Sequence, residues 1–389
     1  MSKSKTKIGI YLCAILMMGV IAVSSNLANI MAAFPDTNPN TIVSYMISVP
    51  CFVIIIMSLV TGKLMDIFSK RNLMIFGILC WLIGGTVPYF MSSLGAMVIM
   101  RAVFGVGCGM VMSLCSALVA ENFEDPVERG KVQGTMTSFQ MLGAIFFSIV
   151  AGNLGSIGWN VAFLVHLMAI VSLIACIACI PNVKPAGKVE GVEKPKFQPT
   201  GMLWVWVIAF IIFMFAGQEY SNAASTLITE AGLGGSAAAG YSLALFAFGG
   251  FCMGFIFGKI AKVCGRFTLT VGCLLLALSY VIMAFAASLP VSYLGAFVCG
   301  LAFSICMPCI ITGAAGSVGM ASAGMAVALA TGGQNLGQTL CSYVIPPLGN
   351  AWAASGNGLT ASQCGMLVGA IIIVVFAIVF IFLNKPKKA

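Results

Sequence analysis

Apolar residues run in blocks along this chain, and polar residues collect in the short gaps between them. The blocks lie near 8–32, 42–64, 73–92, 95–119, 132–152, 160–180, 201–222, 238–258, 268–287, 291–313, 324–346 and 363–383. A helix needs roughly 20 residues, at 1.5 Å each, to cross about 30 Å of hydrocarbon. Each block therefore reads as a membrane-spanning helix, twelve in all. The period-two alternation of a transmembrane strand is missing, which excludes a closed β-barrel.

Composition turns these blocks from core helices into spans. Hydrophobic residues make up 60% of the chain and charged residues 7%; the mean hydropathy is +1.08. A soluble domain is nearer a quarter charged, so this chain cannot cover a water-facing surface. The net charge of +9 would suit nucleic acid, but its distribution says otherwise. With the N-terminus in the cytoplasm and twelve spans, Lys3, Lys5, Lys7, Lys63, Lys70, Arg71, Arg129, Lys131, Lys184, Lys188, Lys194, Lys196, Lys259, Lys262, Arg266, Lys385, Lys387 and Lys388 all fall inside. Only Arg101 falls elsewhere. This is the positive-inside rule. It accounts for the charge without a nucleic-acid partner and predicts both termini in the cytoplasm. The short loops suit a bacterial cytoplasmic (inner) membrane. Lys3, Lys5 and Lys7 before an apolar run also fit a cleaved signal peptide. The length of that run, and its echo in the second half, favour a retained span.

The fifteen cysteines are scattered through the blocks. Cys176 and Cys179, and Cys306 and Cys309, have CxxC spacing, with no His or acid beside them. They read as packing thiols. No metal, cofactor or disulfide framework is expected.

The pattern repeats. A shift of 196 brings Ser25-Asn26 onto Ser221-Asn222, Tyr45 onto Tyr241, Phe52 onto Phe248 and Gly62-Lys63 onto Gly258-Lys259. A shift of 194 brings Thr137 onto Thr331, Gln140 onto Gln334, Leu142-Gly143 onto Leu336-Gly337, Ser148 onto Ser342 and Gly155 onto Gly349. Between the copies lies PNVKPAGKVEGVEKPKFQPT, a solvated linker by its Pro, Gly and Lys content. The expected organisation is a six-helix bundle over 1–181, a cytoplasmic linker over 182–200 and a second six-helix bundle over 201–389. Parallel six-helix repeats are a transporter architecture, with the solute site between them near mid-membrane.

The stretch GKLMDIFSKRN, Gly62 to Asn72, resembles the loop signature G-x-L-x-D-R-x-G-R-R/K of the major facilitator superfamily. Gly62, Leu64, Asp66, Lys70 and Arg71 match; Ile67 and Ser69 depart. RAVFGVGCG from Arg101 resembles the family's fourth-helix motif. ERGKVQG from Glu128 resembles the start of its fifth helix, and GWNVAF from Gly158 its G-W-R-x-x-F. The resemblance covers the whole chain without selecting a subfamily. It implies an all-α integral membrane fold of 12 helices in two pseudo-symmetric bundles. It also implies that Gly62, Asp66, Lys70 and Arg71 form a conformational latch, with Gly62 at a tight helix contact and Asp66 capping or pairing. The helix-five Gly-Pro motif of drug antiporters is lost here, where the window holds Gly143, Phe147-Ser148 and Ala151-Gly152.

Polar residues inside the blocks carry the candidate chemistry, because a charge at mid-bilayer costs about 2.5–3.5 kcal/mol on insertion scales. Glu219 follows an oily run and is followed by Tyr220, Ser221 and Asn222. Helical spacing puts Glu219, Asn222 and Thr226 on one face, as it does Ser25, Asn26 and Asn29. Helices one and seven line the central cavity in the family, so Glu219 is expected to face water and solute and to exchange a proton. The plainer alternative sets it at the outer headgroups. Arg101 has three readings: pairing with the polar residues of the first block, proton coupling, or direct contact with an anion. Gln140 and Gln334 are a symmetric amide pair, with Asn335 beside the second; they bond a solute or bond across helices. His166 reads as a helix–helix hydrogen bond. Glu121, Glu124, Asp125 and Glu128 read as a cytoplasmic surface paired with Arg129 and Lys131.

No ATP-binding motif or catalytic constellation appears, so the chain is not read as an enzyme. The expected function is secondary active transport of a small polar metabolite, an organic anion among the options, by alternating access and proton symport. The expected partners are a small-molecule substrate, a coupling proton and the lipid bilayer, with the chain monomeric. Proton-driven efflux of amphipathic drugs is the alternative, and a non-transporting membrane receptor the alternative of another class.

Overall fold

The computed structural model describes residues 3–123, 125–183, 199–319 and 323–383. Glu124, the linker lysines Lys184, Lys188, Lys194 and Lys196, the C-terminal Lys385, Lys387 and Lys388, and the side chain of Arg129 lie outside the described residues. Among the described residues there is no strand.

The chain divides into two compact units, the first ending at Val192 and the second starting at Glu193. In the first, α1 (Lys3–Ala14), a 3-10 turn (Ile15–Met18), α2 (Ile21–Ser24) and α3 (Leu27–Ala33) follow one another. Next come α4 (Pro39–Val43), a π turn (Ser44–Ser48), α5 (Val49–Leu64), α6 (Lys70–Thr86), α7 (Leu94–Asn122) and α8 (Pro126–Ile157). A 3-10 stretch (Val161–Met168) leads into α9 (Ala169–Cys179). The second unit holds α10 (Gly201–Gly217), α11 (Glu219–Glu230), α12 (Ser236–Cys264), α13 (Thr268–Ala284), α14 (Leu289–Gly316), α15 (Ala323–Ala353) and α16 (Ala361–Leu383).

Length and hydropathy pick out ten candidate spans among the described residues, against the twelve expected. One of the ten, Ser236–Ala284, is 49 residues long and contains α12 and α13, joined by the short turn Gly265–Phe267. The helix α15 is not among them. Its Thr331, Gln334, Asn335 and Gln338 lower its hydropathy.

Glycine sets the closest approaches. A Cβ on Gly143 would strike the Ile15 carbonyl, and one on Gly337 would strike the Ile211 carbonyl. The offsets are 194 and 196, those of the sequence repeat. Gly105 lies against Pro50, and Gly300 against Phe246 in the same way. The repeated sequence thus makes repeated helix contacts. Gly62 differs: a Cβ there would meet nothing within 4 Å, and the same holds at Gly258. The tight contact expected at Gly62 is absent among the described residues, because the glycine sits on an exposed helix end.

An aromatic cluster centres the first unit. Trp81 packs 5.2 Å from Phe104, 5.6 Å from Phe147 and 4.9 Å from His166. His166 Nδ1 donates to the Phe163 carbonyl in its own element at 2.9 Å, and its ring also packs against Phe104 and Phe163.

The ion pairs expected among the loop charges also regroup. Lys70 pairs with Glu121 at 2.6 Å and Lys7 with Glu128 at 2.8 Å. Arg71 donates to the Ile177 carbonyl at 2.7 Å. Ser69, not Asp66, accepts from the first turn of α6. Asp66 is exposed and makes no ion pair among the described residues.

Candidate functional site

The seventh apolar block breaks at Gln218, between α10 and α11. A break frees backbone carbonyls, which need partners away from water. Tyr280 supplies one. Its hydroxyl lies 2.9 Å from the Ala216 carbonyl and 2.7 Å from that of Gly217, and donates to one of them at a time. It also accepts from the Tyr220 amide at 3.4 Å.

Glu219 is the first residue of α11, where the helix dipole favours negative charge. It is 2% exposed. Cys341 of α15 donates to its Oε2 at 3.6 Å. Its Oε1 rests on Gly365 of α16, where a Cβ would come within 2.6 Å of it. No ion pair to Glu219 exists among the described residues. The expectation that it faces water is corrected, because α11 turns it inward against α15 and α16. The outer-headgroup alternative is removed by the same burial. Asn222, one turn on, donates to Cys341 Sγ at 3.4 Å and Ser342 Oγ at 3.1 Å, and its Oδ1 has no partner. Thr226 accepts from Ser362 of α16 at 2.8 Å. The three share one face, as their spacing predicts.

The first block breaks as well, and again an aromatic donor answers. Trp81 Nε1 donates to the Leu16 carbonyl at 3.0 Å in the 3-10 turn. Asn26 donates to the Trp159 carbonyl at 2.6 Å. Asn29 donates to Asn26 Oδ1 at 3.0 Å and to the Gly155 carbonyl at 2.9 Å. Both amides therefore tie the first block to the end of α8 and the turn after it. Gln140 donates to Met17 Sδ at 3.1 Å, a weak acceptor. Asn335 bonds back to Thr331 in its own helix at 3.0 Å, and Gln334 is half-buried beside it.

Arg101 lies on α7 and is fully buried. Its Nε donates to the Met46 carbonyl at 3.0 Å, and its guanidinium carbon sits 4.4 Å from the Phe104 ring centre. Met46 falls within the π turn Ser44–Ser48, whose i→i+5 pattern shifts carbonyls out of the α-helical ladder. The expected pairing with the first block is corrected, because the second block supplies the acceptor. Nη1 and Nη2 have no partner.

The candidate residues thus form two clusters, one in each unit. Glu219, Asn222, Cys341, Ser342 and Gly365 make one. Arg101, Met46 and Phe104, with Ser48 nearby in the π turn, make the other. Of these, the sequence reading missed Cys341, Gly365 and the Met46 carbonyl. Ser342 was signalled only through its repeat partner Ser148.

These features, apolar helices long enough to span a bilayer with buried polar clusters at helix breaks, define an integral membrane protein of the helical class. Residues 10–342 match the profile of the Major Facilitator Superfamily. The chain belongs to that superfamily. A Bacillus subtilis (strain 168) protein named as a niacin/nicotinamide transporter, NiaP, is 32% identical over 105 residues, 27% of this chain and 26% of that one. Multidrug efflux pump SdrM of Staphylococcus aureus (strain N315) is 25% identical over 212 residues, 53% of this chain and 46% of the pump. The chain therefore matches from a quarter to about half the length of these curated relatives. Among solved structures, the nucleoside transporter NupG has a TM-score of 0.79 at 12% identity, covering 98% of this chain and 100% of its own. A D-xylose–proton symporter has a TM-score of 0.75 at 16% identity, covering 96% and 97%. At that identity the likeness is one of fold.

Proposed function

We propose that the protein carries a small polar solute across a bacterial cytoplasmic membrane by alternating access, together with a proton that Glu219 takes up and releases. The observation that carries this reading is a buried carboxyl with no cation beside it among the described residues. Leaving such a group charged costs several kcal/mol. A proton is the counter-charge that can come and go, and a carboxyl that binds one only in part of the cycle couples proton flow to solute flow. Asn222 stands beside it with an unused carbonyl oxygen, an acceptor for the hydroxyl that protonation creates. In this reading Arg101 contacts the solute, and Asn26 and Asn29 hold the first block in shape. Gln140, Gln334 and Asn335 remain candidate solute contacts, and Gly62, Asp66, Lys70 and Arg71 the latch.

The test is proton movement in proteoliposomes, followed with a trapped pH dye while carboxylates, sugars, amino acids or lipophilic cations are added. One polar class should drive proton entry in wild type, and Glu219→Gln should abolish that entry while retaining solute binding. If Glu219→Gln transports at the wild-type rate with the wild-type pH dependence, the assignment is wrong. The likeness to SdrM supports a second reading, proton-driven efflux of amphipathic drugs. Proton exit coupled to uptake of such a compound, with no response to polar solutes, would select it. A ligand that binds and never crosses would select a receptor.

A further inference from the structure

Two nitrogens of one guanidinium are the least satisfied groups in the first unit. Arg101 spends Nε on the Met46 carbonyl, and Nη1 and Nη2 have no acceptor. A buried cation without an anion is unfavourable. The acids described in this unit are engaged or remote. Glu121 and Glu128 pair with Lys70 and Lys7. Asp125 accepts from the Glu128 amide, and Asp36 and Asp66 are exposed. Among the described residues of the unit, none supplies the anion.

The surroundings supply a further donor. Ser48 Oγ is buried without a partner among the described residues. Ser48 lies between Met46, which holds Arg101, and Pro50, which touches Gly105 one turn along α7. His166 falls outside the donor set. Its Nδ1 hydrogen is given to Phe163, which leaves Nε2 a lone pair when the ring is neutral.

We infer that the first unit contains an interior carboxylate site, in which Nη1 and Nη2 of Arg101 take the two oxygens of a planar carboxylate on the transported solute, flanked by the Ser48 hydroxyl. The inference rests on the transporter reading above and names its solute class. The fork geometry selects the group. With Nε occupied, two parallel N–H bonds remain, which match a carboxylate in bidentate fashion. A phosphate would bring a second negative charge, and no second cation is described beside Arg101. The stacked Phe104 ring and the Met46 carbonyl hold the guanidinium in place, so its orientation is set before the anion arrives.

The test uses the purified full chain and matched pairs that differ only in carboxylate against carboxamide: nicotinate and nicotinamide, benzoate and benzamide, acetate and acetamide, succinate and succinamide. Binding is read by calorimetry. At least one carboxylate should bind tenfold or more tightly than its amide. Arg101→Gln should erase that difference, leaving the amide's affinity unchanged, and Arg101→Lys should keep only part of it. Ser48→Ala, a smaller change in the same seam, should weaken the carboxylate several-fold and the amide not at all. The inference is overturned if no pair reaches tenfold, if the difference survives Arg101→Gln, or if chloride alone displaces the carboxylate at equal concentration. Should Arg101→Gln fail to fold, the wild-type pairs and Ser48→Ala decide, and an unchanged carboxylate affinity in Ser48→Ala overturns the donor set. Glu219→Gln separates the two proposals. Discrimination that persists in a protein whose transport ignores protons sinks the proton reading alone, and proton-coupled transport without discrimination sinks this one alone.

Discussion

At the scale of residues, what a polar group does here follows from what faces it. Asn26 and Asn222 are repeat partners, yet one meets a backbone carbonyl and the other a serine and a thiol. Glu219 and Arg101 stand out in the sequence as a carboxylate and a base in apolar surroundings. Their partners, Cys341 over a hundred positions away and a carbonyl in a π turn, left no such mark. Where α1 meets the start of α8, the partner is a lysine. The hydrogen bond from Lys7, and then its charge, hold the Glu128 carboxyl below the usual carboxylate range. A carboxyl lowered on folding adds stability above its unfolded value, about 4.3 for Glu, and that stability is lost as pH falls through the lowered value. Lys7→Met is therefore expected to melt below wild type at pH 7, with the gap closing as the pH drops under about 4. A gap of the same size at both pH values would show that the pair does not titrate with folding.

At the scale of elements, glycine contacts and helix breaks organise each unit. Gly143 against Ile15 and Gly337 against Ile211 are the same crossing made twice. Forcing a methyl into such a crossing costs about 1–3 kcal/mol. Gly143→Ala and Gly337→Ala should each lower the apparent melting temperature in detergent. Gly62→Ala, at a position with nothing within 4 Å, should match wild type. An equal fall in Gly62→Ala would mean that the glycine serves a contact made in another conformation. The breaks were less legible. The apolar pattern read the first block as one helix over 8–32, where the structure has α1, a 3-10 turn, α2 and α3. Hydropathy measures lipid compatibility, and a broken helix whose carbonyls are answered by Trp81 is as compatible as an intact one.

At the scale of the whole molecule, charge placement and the repeat are the governing features. The distribution of basic residues along the sequence is the one an inward N-terminus predicts. A fusion of green fluorescent protein to the C-terminus should fluoresce in cells, and a fusion of alkaline phosphatase there should be inactive. The reverse pair of results would invert the topology. The twelve expected spans and the ten found by length and hydropathy differ through a short turn and one polar helix, α15. That polar helix carries Gln334, Asn335, Cys341 and Ser342, and so contributes two of the five residues of the Glu219 cluster.

The sequence by itself determined the membrane setting, the helical class, the internal repeat and the family. Those properties are sums over many residues: hydropathy over a span, charge over loops, identity over a repeat. It also singled out Glu219 and Arg101, because isolated charges in hydrocarbon are costly enough to need a purpose. Only the tertiary structure decided that Glu219 turns inward onto Gly365, that Asn26 serves a carbonyl, and that Arg101 keeps two nitrogens free. Such outcomes depend on which helix crosses which at a few ångströms, and a hydrogen-bond partner distant in the chain leaves no trace in local pattern.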